Sequence, residues 1–290
     1  MNLTTPCSIL FAFCPTLFFT SILFSFSRGK DTNKCEKNQI FLAFTYFLLT
    51  FALMILNNDI IKVVAFDADD TLWDCQTWFD DVEHLCGDLL RPWATQEEVT
   101  QGLFATERSN MELLGYGTKA FTISLVENAV KITHGEITGD IVQKLIELGK
   151  GLLQFPTTPL PEVKETLQSL YDDGHYRMVV FTKGELLDQE SKLKRSGLAH
   201  YFEYMETVSN KGMDEYVALC SHLGIKPDEM VMVGNSFRSD IAPALAVGCY
   251  TIHIPYHVVW ELEKSDEFPH ERLEKISHFG QLLDILAVNP

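Results

Sequence analysis

The feature that most constrains the fold is an apolar segment, Ile60 to Phe66, that ends abruptly in the acidic run Asp67-Ala68-Asp69-Asp70-Thr71. A short apolar run bounded by polar residues is typical of a buried strand. Three carboxylates within four positions at the end of such a strand repel one another unless positive charge lies among them. The run therefore indicates a metal ion and a phosphate at this strand end, and hence an enzyme. The alternative is an acidic turn that only caps the next helix.

The rest of the chain indicates an α/β fold. From Ile60 onward, short apolar strands alternate with helical segments, which predicts a Rossmann-like parallel sheet covered on both faces. The expected strands are Ile61 to Phe66, Met178 to Thr182, Tyr204 to Val208, Met230 to Val233 and Tyr250 to Ile254. Ligands bind at the carboxyl ends of parallel strands, so we expect the first, second and fourth strand ends to converge on one crevice.

The long interval between the first two strands predicts a second domain. It contains helical periodicity, a capping-box pattern at Thr95 to Glu98, and apolar runs at Phe121 to Ile132 and Ile141 to Leu153. We expect residues 76–155 to form a helical cap inserted into a core made of residues 54–75 and 156–290. Pro161 suits the first turn of the helix that returns the chain to the core.

Residues 1–53 form a hydrophobic leader, in which residues 8–27 and 40–56 are two uncharged runs, the second reaching into the core. Three interpretations are open: a mis-assigned translation start, a membrane anchor through residues 8–56, or a cleaved signal. Met54 stands where a compact domain would begin, which favours the first interpretation. We therefore expect a cytoplasmic protein, with membrane association only if the leader is real.

Charge and cysteine content exclude several classes of protein. The net charge of −17 argues against nucleic-acid binding, which depends on lysine and arginine. The seven cysteines show no zinc-ligand spacing. We expect Cys75, Cys86, Cys220 and Cys249 to be reduced and mostly buried thiols.

Polar residues also follow the second and third strands. Thr182-Lys183-Gly184 offers a hydroxyl and turn N–H groups that suit phosphate oxygens, although an ordinary strand-to-helix turn has the same composition. After the third strand, Lys211 is placed to neutralise a carboxylate and a phosphate, with Lys183, Lys192 and Lys194 as rival candidates. A solvated surface lysine is the alternative for each.

The fourth strand is followed by Gly234-Asn235 and, five residues after Asn235, by Asp240. Their side-chain oxygens suit a hard cation such as Mg²⁺. Asp240 is alternatively the N-cap of the helix that contains Pro243.

Taken together, these segments resemble the haloacid dehalogenase superfamily, in the branch with a helical cap after the first motif. Asp67 to Leu72 resembles the first motif, Thr182 the second, Lys211 the third, and Gly234-Asn235 through Asp240 the fourth. The fourth motif commonly opens Gly-Asp, and Asn235 departs from it. The third motif lacks the Lys-Pro pair often seen.

The resemblance implies roles for these residues. Asp67 would be the nucleophile and Asp69 the acid and base, while Thr182, Lys183 and Lys211 would bind phosphate. Mg²⁺ would be held by Asp67, Asp69, Asn235 and Asp240, where the neutral amide of Asn235 leaves more of the task to Asp240.

The function expected is Mg²⁺-dependent hydrolysis of a small phosphorylated metabolite through an aspartyl-phosphate. A 2-haloacid dehalogenase and a phosphomutase are alternatives within the superfamily, and Asp69 disfavours the dehalogenase because that reaction needs no acid there. A catalytically idle, membrane-tethered binding protein is an alternative from another class. The oligomeric state and the substrate are left open.

Overall fold

The computed structural model describes residues 60–288. Six strands in this range form one sheet in which every neighbouring pair is parallel. They are β1 (Val63–Phe66), β2 (Arg177–Lys183), β3 (Tyr204–Val208), β4 (Met230–Gly234), β5 (Tyr250–His253) and β6 (Leu273–Lys275). The spatial order is β3-β2-β1-β4-β5-β6. The predicted α/β class is confirmed, and β6 is a strand that the sequence did not predict.

Strand β1 lies between β2 and β4, and all four of its residues are buried. Alternate side chains point to opposite faces of a strand. Accordingly, Val64 and Phe66 pack into one hydrophobic core and Val63 and Ala65 into another on the opposite face. Because the chain order reverses at β1, the carboxyl ends of β1, β2 and β4 open on a shared crevice.

Five helices lie between β1 and β2, and the first four are α1 (Gln76–Leu90), α2 (Gln96–Leu114), α3 (Thr118–Ile132) and α4 (Gly139–Leu152). They enclose a hydrophobic cluster of their own that contains Leu103 and Leu125, both fully buried. The capping box predicted at the start of α2 is present, with Thr95 and Glu98 bonded reciprocally. We refer to residues 76–152 as the helical insertion.

Five further helices cover the sheet: α5 (Val163–Asp173), α6 (Leu186–Ser196), α7 (Met213–Leu223), α8 (Ala242–Val247) and α9 (Gln281–Ile285). A π-helical turn, Phe237–Ile241, precedes α8. The prediction for Pro161 was wrong, because α5 begins at Val163 after Glu162 in a left-handed conformation. Because this left-handed residue lies between Pro161 and the helix, Pro161 is outside the first helical turn.

The four cysteines of the described region are free and buried, as predicted. The predicted leader, residues 1–53, lies outside the described residues, as do Cys7, Cys14 and Cys35. None of the helices between residues 60 and 288 is both long enough and apolar enough to cross a membrane.

Candidate active site

Asp67 directly follows β1 and is nearly buried, at 8% exposure. Its Oδ1 accepts a 2.6 Å hydrogen bond from Lys211 Nζ, and its Oδ2 lies 3.1 Å from the Thr71 hydroxyl. Burial and the neighbouring Asp240 raise the pKa of Asp67 to about 7, although Lys211 opposes the shift. The carboxylate is thus poorly solvated and held in one orientation, as a nucleophile requires.

Lys211 is fully buried between two carboxylates. Its Nζ donates to Asp240 Oδ1 at 2.6 Å as well as to Asp67. The other oxygen of Asp240 accepts from the backbone N–H of Ser236 at 2.9 Å. Both Asp240 oxygens therefore accept a hydrogen bond from the protein, and one of these bonds holds Lys211 in place.

The close approach of Asp240 depends on Gly234, the last residue of β4. A Cβ at position 234 would lie 2.3 Å from Asp240 Oδ2, well inside van der Waals contact. Glycine is thus the residue that lets this carboxylate reach Lys211.

Asn235 approaches Asp67 through Thr71. The Thr71 hydroxyl lies 3.2 Å from Asn235 Oδ1 and accepts from the Asn235 backbone N–H at 3.1 Å. Asn235 Oδ1 and Asp67 Oδ2 therefore converge on one hydroxyl, which has a single hydrogen to donate. The backbone carbonyl of Asp69 accepts no hydrogen bond from residues 60–288.

These three oxygens fit a hard cation such as Mg²⁺, which prefers carboxylate, carbonyl and amide oxygens. Across residues 60–288, no three His, Cys, Asp or Glu side chains are grouped to hold a metal. A cation at this edge would therefore be held by fewer than three such side chains, with Asp67 supplemented by neutral oxygens such as those of Asp69 and Asn235.

The Asp69 side chain turns towards α6 and is bound at both oxygens. Lys192 Nζ lies 3.1 Å from its Oδ1 and 3.0 Å from its Oδ2. Trp73 Nε1 donates to Oδ1 and Gln189 Nε2 to Oδ2, each at 2.8 Å. Burial alone would raise the pKa of Asp69, but Lys192 and these hydrogen bonds outweigh it and lower the pKa.

Asp70 shapes the turn after β1. Its backbone has a left-handed φ of 63°, and its Oδ1 accepts from the N–H groups of Cys75 and Gln76 at 2.8 and 3.0 Å. Burial raises the pKa of Asp70 to about 7 despite these two hydrogen bonds. Asp70 thus caps the start of α1 instead of facing Asp67.

The end of β2 supplies Thr182 and Lys183. Thr182 is buried and lines the crevice, whereas Lys183 Nζ donates to Ser239 Oγ at 2.7 Å and pairs with Glu263. The same ammonium lies 4.2 Å from the centre of the Tyr116 ring, which belongs to the helical insertion. Lys183 therefore connects three parts of the fold: the carboxyl end of β2, the turn at residues 261–263 and the helical insertion.

A cavity of about 680 Å³ lies over this edge of the sheet. Asp67, Asp69, Thr182 and Asn235 line it from the sheet side, and α1 and α2 line it from the other side. Thr118 bonds to Asp188, and Lys119 pairs with Glu185, so the start of α3 is tied to the start of α6. The cavity is therefore walled by both parts of the fold.

A parallel α/β sheet with an aspartate pair at the end of its central strand, a buried lysine beside it and a helical insertion above defines a class of hydrolases. The family model described as haloacid dehalogenase-like hydrolase matches residues 61–248. The match spans more than half of the chain, and the protein therefore belongs to the haloacid dehalogenase-like hydrolase family.

Individual relatives agree with this assignment. A glyceraldehyde 3-phosphate phosphatase from Methanothermobacter thermautotrophicus is 28% identical over 206 residues, covering 66% of this chain and 84% of the relative. A phosphoglycolate phosphatase from Haemophilus influenzae is 30% identical over 240 residues, covering 79% of this chain and all of the relative. The solved structure of a haloacid dehalogenase-like family hydrolase from Xanthomonas campestris has a TM-score of 0.69 and 32% identity, covering 78% of this chain and 91% of the other.

Sequence reasoning missed the partners of Asp69. Lys192 was considered only as a rival of Lys211, and Gln189 and Trp73 were not considered. Gln189 and Lys192 are three residues apart on α6, a spacing that places side chains on one helix face. That signal was present in the sequence, but only the packing of α6 shows that this face meets Asp69.

Proposed function

We propose that this protein is a Mg²⁺-dependent phosphatase that hydrolyses a small phosphate monoester through an aspartyl-phosphate on Asp67. The observation that carries the proposal is the pair Asp67 and Asp69 in one cavity, each held by its own buried lysine. Relatives named as phosphatases support the same reaction class. We also propose that residues 76–155 act as a cap over the core formed by 54–75 and 156–290.

In the first step, a carboxylate oxygen of Asp67 attacks phosphorus and the bond to the leaving alcohol breaks. Lys211 fixes the other oxygen and offsets the charge of Asp67 and Asp240. Thr182, which lines the same cavity, is placed to contact phosphate oxygens. Lys183 is a weaker candidate for that contact because Glu263 and Ser239 already occupy its ammonium.

Asp69 would donate the proton of the first step and accept the proton of the second. The leaving alcohol needs a proton in the first step, and water must lose one in the second, when it hydrolyses the aspartyl-phosphate. Because Lys192 lowers the pKa of Asp69, the carboxylate starts ionised in this arrangement. A phosphate dianion bound nearby would raise the pKa of Asp69, so that it takes up a proton from solvent, gives that proton to the leaving oxygen in the first step and accepts one from the attacking water in the second.

Asp67, the Asp69 carbonyl and Asn235 would hold Mg²⁺, with Asp240 holding Lys211 in place. When bound, the ion supplies positive charge that offsets repulsion between Asp67 and the phosphate. The residues themselves orient the nucleophile and position the group that donates and accepts protons.

The test uses p-nitrophenyl phosphate with Mg²⁺. Asp67→Asn is expected to abolish turnover, because an amide is not a nucleophile here. Asp81→Asn, an exposed aspartate on α1 outside the cavity, serves as the matched control and is expected to keep full activity. Acid quenching during turnover should trap phosphate on the peptide that contains Asp67. Undiminished activity in Asp67→Asn would refute the proposal.

A further inference from the structure

The two walls of the active-site cavity differ in how their charges are compensated. On the sheet side, the two lysines that line the cavity already have carboxylate partners, Lys192 with Asp69 and Lys183 with Glu263. On the insertion side, the titratable lining residues of α1 and α2 are three carboxyl groups, Asp80, Glu83 and Glu107, and one imidazole, His84. Neither lysine nor arginine from those two helices lines the cavity among the described residues.

Glu107 is the clearest example of an uncompensated carboxyl group. No residue between 60 and 288 gives it a hydrogen bond or an ion pair, and Glu83 is the charged group that acts on it. Burial and that like charge raise the pKa of Glu107 to about 8. Glu83 itself accepts a hydrogen bond from Thr100, a hydroxyl that carries no charge.

The neutral groups on the same wall also present acceptors. Asn110, one turn beyond Glu107 on α2, donates its amide hydrogens to Ser124 Oγ at 3.1 Å and Glu127 Oε2 at 2.8 Å. Its amide oxygen is the group left for the cavity. Gln76 donates to Asp80 Oδ1 at 2.8 Å. The wall therefore offers oxygen acceptors and negative charge to whatever lies between it and Asp67.

We propose that this acidic wall selects phosphate esters whose leaving alcohol carries hydroxyl or ammonium groups and no second anion. The inference rests on the proposed phosphatase function and names its substrate class. A donor group would satisfy Glu107 and Asn110, whereas a carboxylate or a second phosphate would face Asp80 and Glu83, and also the charge of Glu107 once the pH exceeds its pKa of about 8. The phosphatase names among the relatives differ in this property, since glyceraldehyde 3-phosphate has an uncharged remainder, phosphoglycolate has a carboxylate and ribulose 1,5-bisphosphate has a second phosphate.

Three esters of matched size separate charge from shape: 2-hydroxyethyl phosphate, O-phosphoethanolamine and phosphoglycolate, which end in a hydroxyl, an ammonium and a carboxylate. We expect kcat/KM for the first two to exceed that for phosphoglycolate by at least about 10-fold at low ionic strength and pH 9, where Glu107 is ionised, since like charges repel strongly in a partly buried site. Equal or faster turnover of phosphoglycolate would overturn the inference.

Variants test whether the insertion wall is responsible. Glu107→Gln should reduce the discrimination against phosphoglycolate about 3-fold or more, and Glu83→Gln should act in the same direction. Glu112→Gln, at an exposed position of α2 outside the cavity, should leave the ratio unchanged. An unchanged ratio in both folded wall variants would overturn the inference. Absence of turnover with all three esters and with p-nitrophenyl phosphate would refute the proposed function itself, and this inference with it.

Discussion

Replacing Lys192 by methionine tests whether this lysine holds Asp69 in place. Methionine keeps most of the side-chain length but removes the ammonium that lies 3.0 and 3.1 Å from the two Asp69 oxygens. Removing one partner of a buried ion pair costs about 3–5 kcal/mol. The Asp69 side chain is 26% exposed and keeps its bonds from Trp73 and Gln189, so we expect about 2–3 kcal/mol.

For a domain of this size, that loss corresponds to a fall in Tm of roughly 5–10 °C. The expected loss depends on pH. In the wild type, the lowered pKa of Asp69 contributes stability above the unfolded pKa, and this contribution disappears as pH falls through the folded pKa. The difference between wild type and Lys192→Met should therefore be larger at pH 7.5 than near pH 4, where Asp69 is protonated in the variant.

Urea denaturation at several pH values measures this effect, with Lys194→Met, an exposed lysine of the same helix, as the control. The double variant Asp69→Asn with Lys192→Met should be more stable than Lys192→Met alone, because the charge of Asp69 is removed together with its partner. Asp188, 3.6 Å from Lys192, limits the recovery. If Lys192→Met is no more destabilising than Lys194→Met, Lys192 is not holding Asp69.

Three further changes probe the surroundings of the site. Gly234→Ala should lower the free energy of unfolding, measured by urea denaturation, by at least about 3 kcal/mol, because the new Cβ displaces Asp240 from Lys211. Gly151→Ala in α4 is the control: a Cβ there meets nothing, so the change should be neutral or stabilising. Asp70→Ala should lower the free energy of unfolding by about 1–2 kcal/mol, because it removes the cap of α1 and places alanine at a positive φ. Asp70→Asn should lower it by less, and equal losses would contradict the cap role. Because the raised pKa of Glu107 makes folding less favourable as pH rises from 4.5 to about 8, Glu107→Gln should stabilise the protein by about 1–2 kcal/mol at pH 9 and not at pH 4. A pH-independent effect in the same denaturation assay would refute this assignment.

Much of the core could be predicted because local pattern and tertiary position coincide there. Strands β1, β2, β4 and β5 are short apolar runs ended by polar residues, and they were predicted within two residues of their bounds. Strand β6, Leu-Glu-Lys, is short and partly exposed and pairs only at the edge through β5. Its composition carries no strand signal, so its pairing was invisible before the fold was known.

In the candidate site, too, some residues could be predicted from local pattern and others could not. Strand-end logic was enough to bring Asp67 and Asp240 to one edge, but it left Lys211 as one of several candidate lysines; the structure places Lys211 Nζ 2.6 Å from each carboxylate. Strand ends also could not assign tasks among these residues. Asp240 is predicted to compensate for Asn235 as a metal ligand, and the structure adds that its two oxygens accept hydrogen bonds from Lys211 and Ser236.

Local patterns were sufficient for the parallel α/β class, for helical segments between β1 and β2, and for the strand ends at which polar residues gather, because apolar periodicity and turn composition act over a few neighbouring residues. Long-range packing was needed to show which buried lysine holds which aspartate, and that α1 and α2 present an acidic wall to the cavity. Those pairings join residues more than a hundred positions apart. They depend on how helices pack against the sheet, which no local pattern specifies.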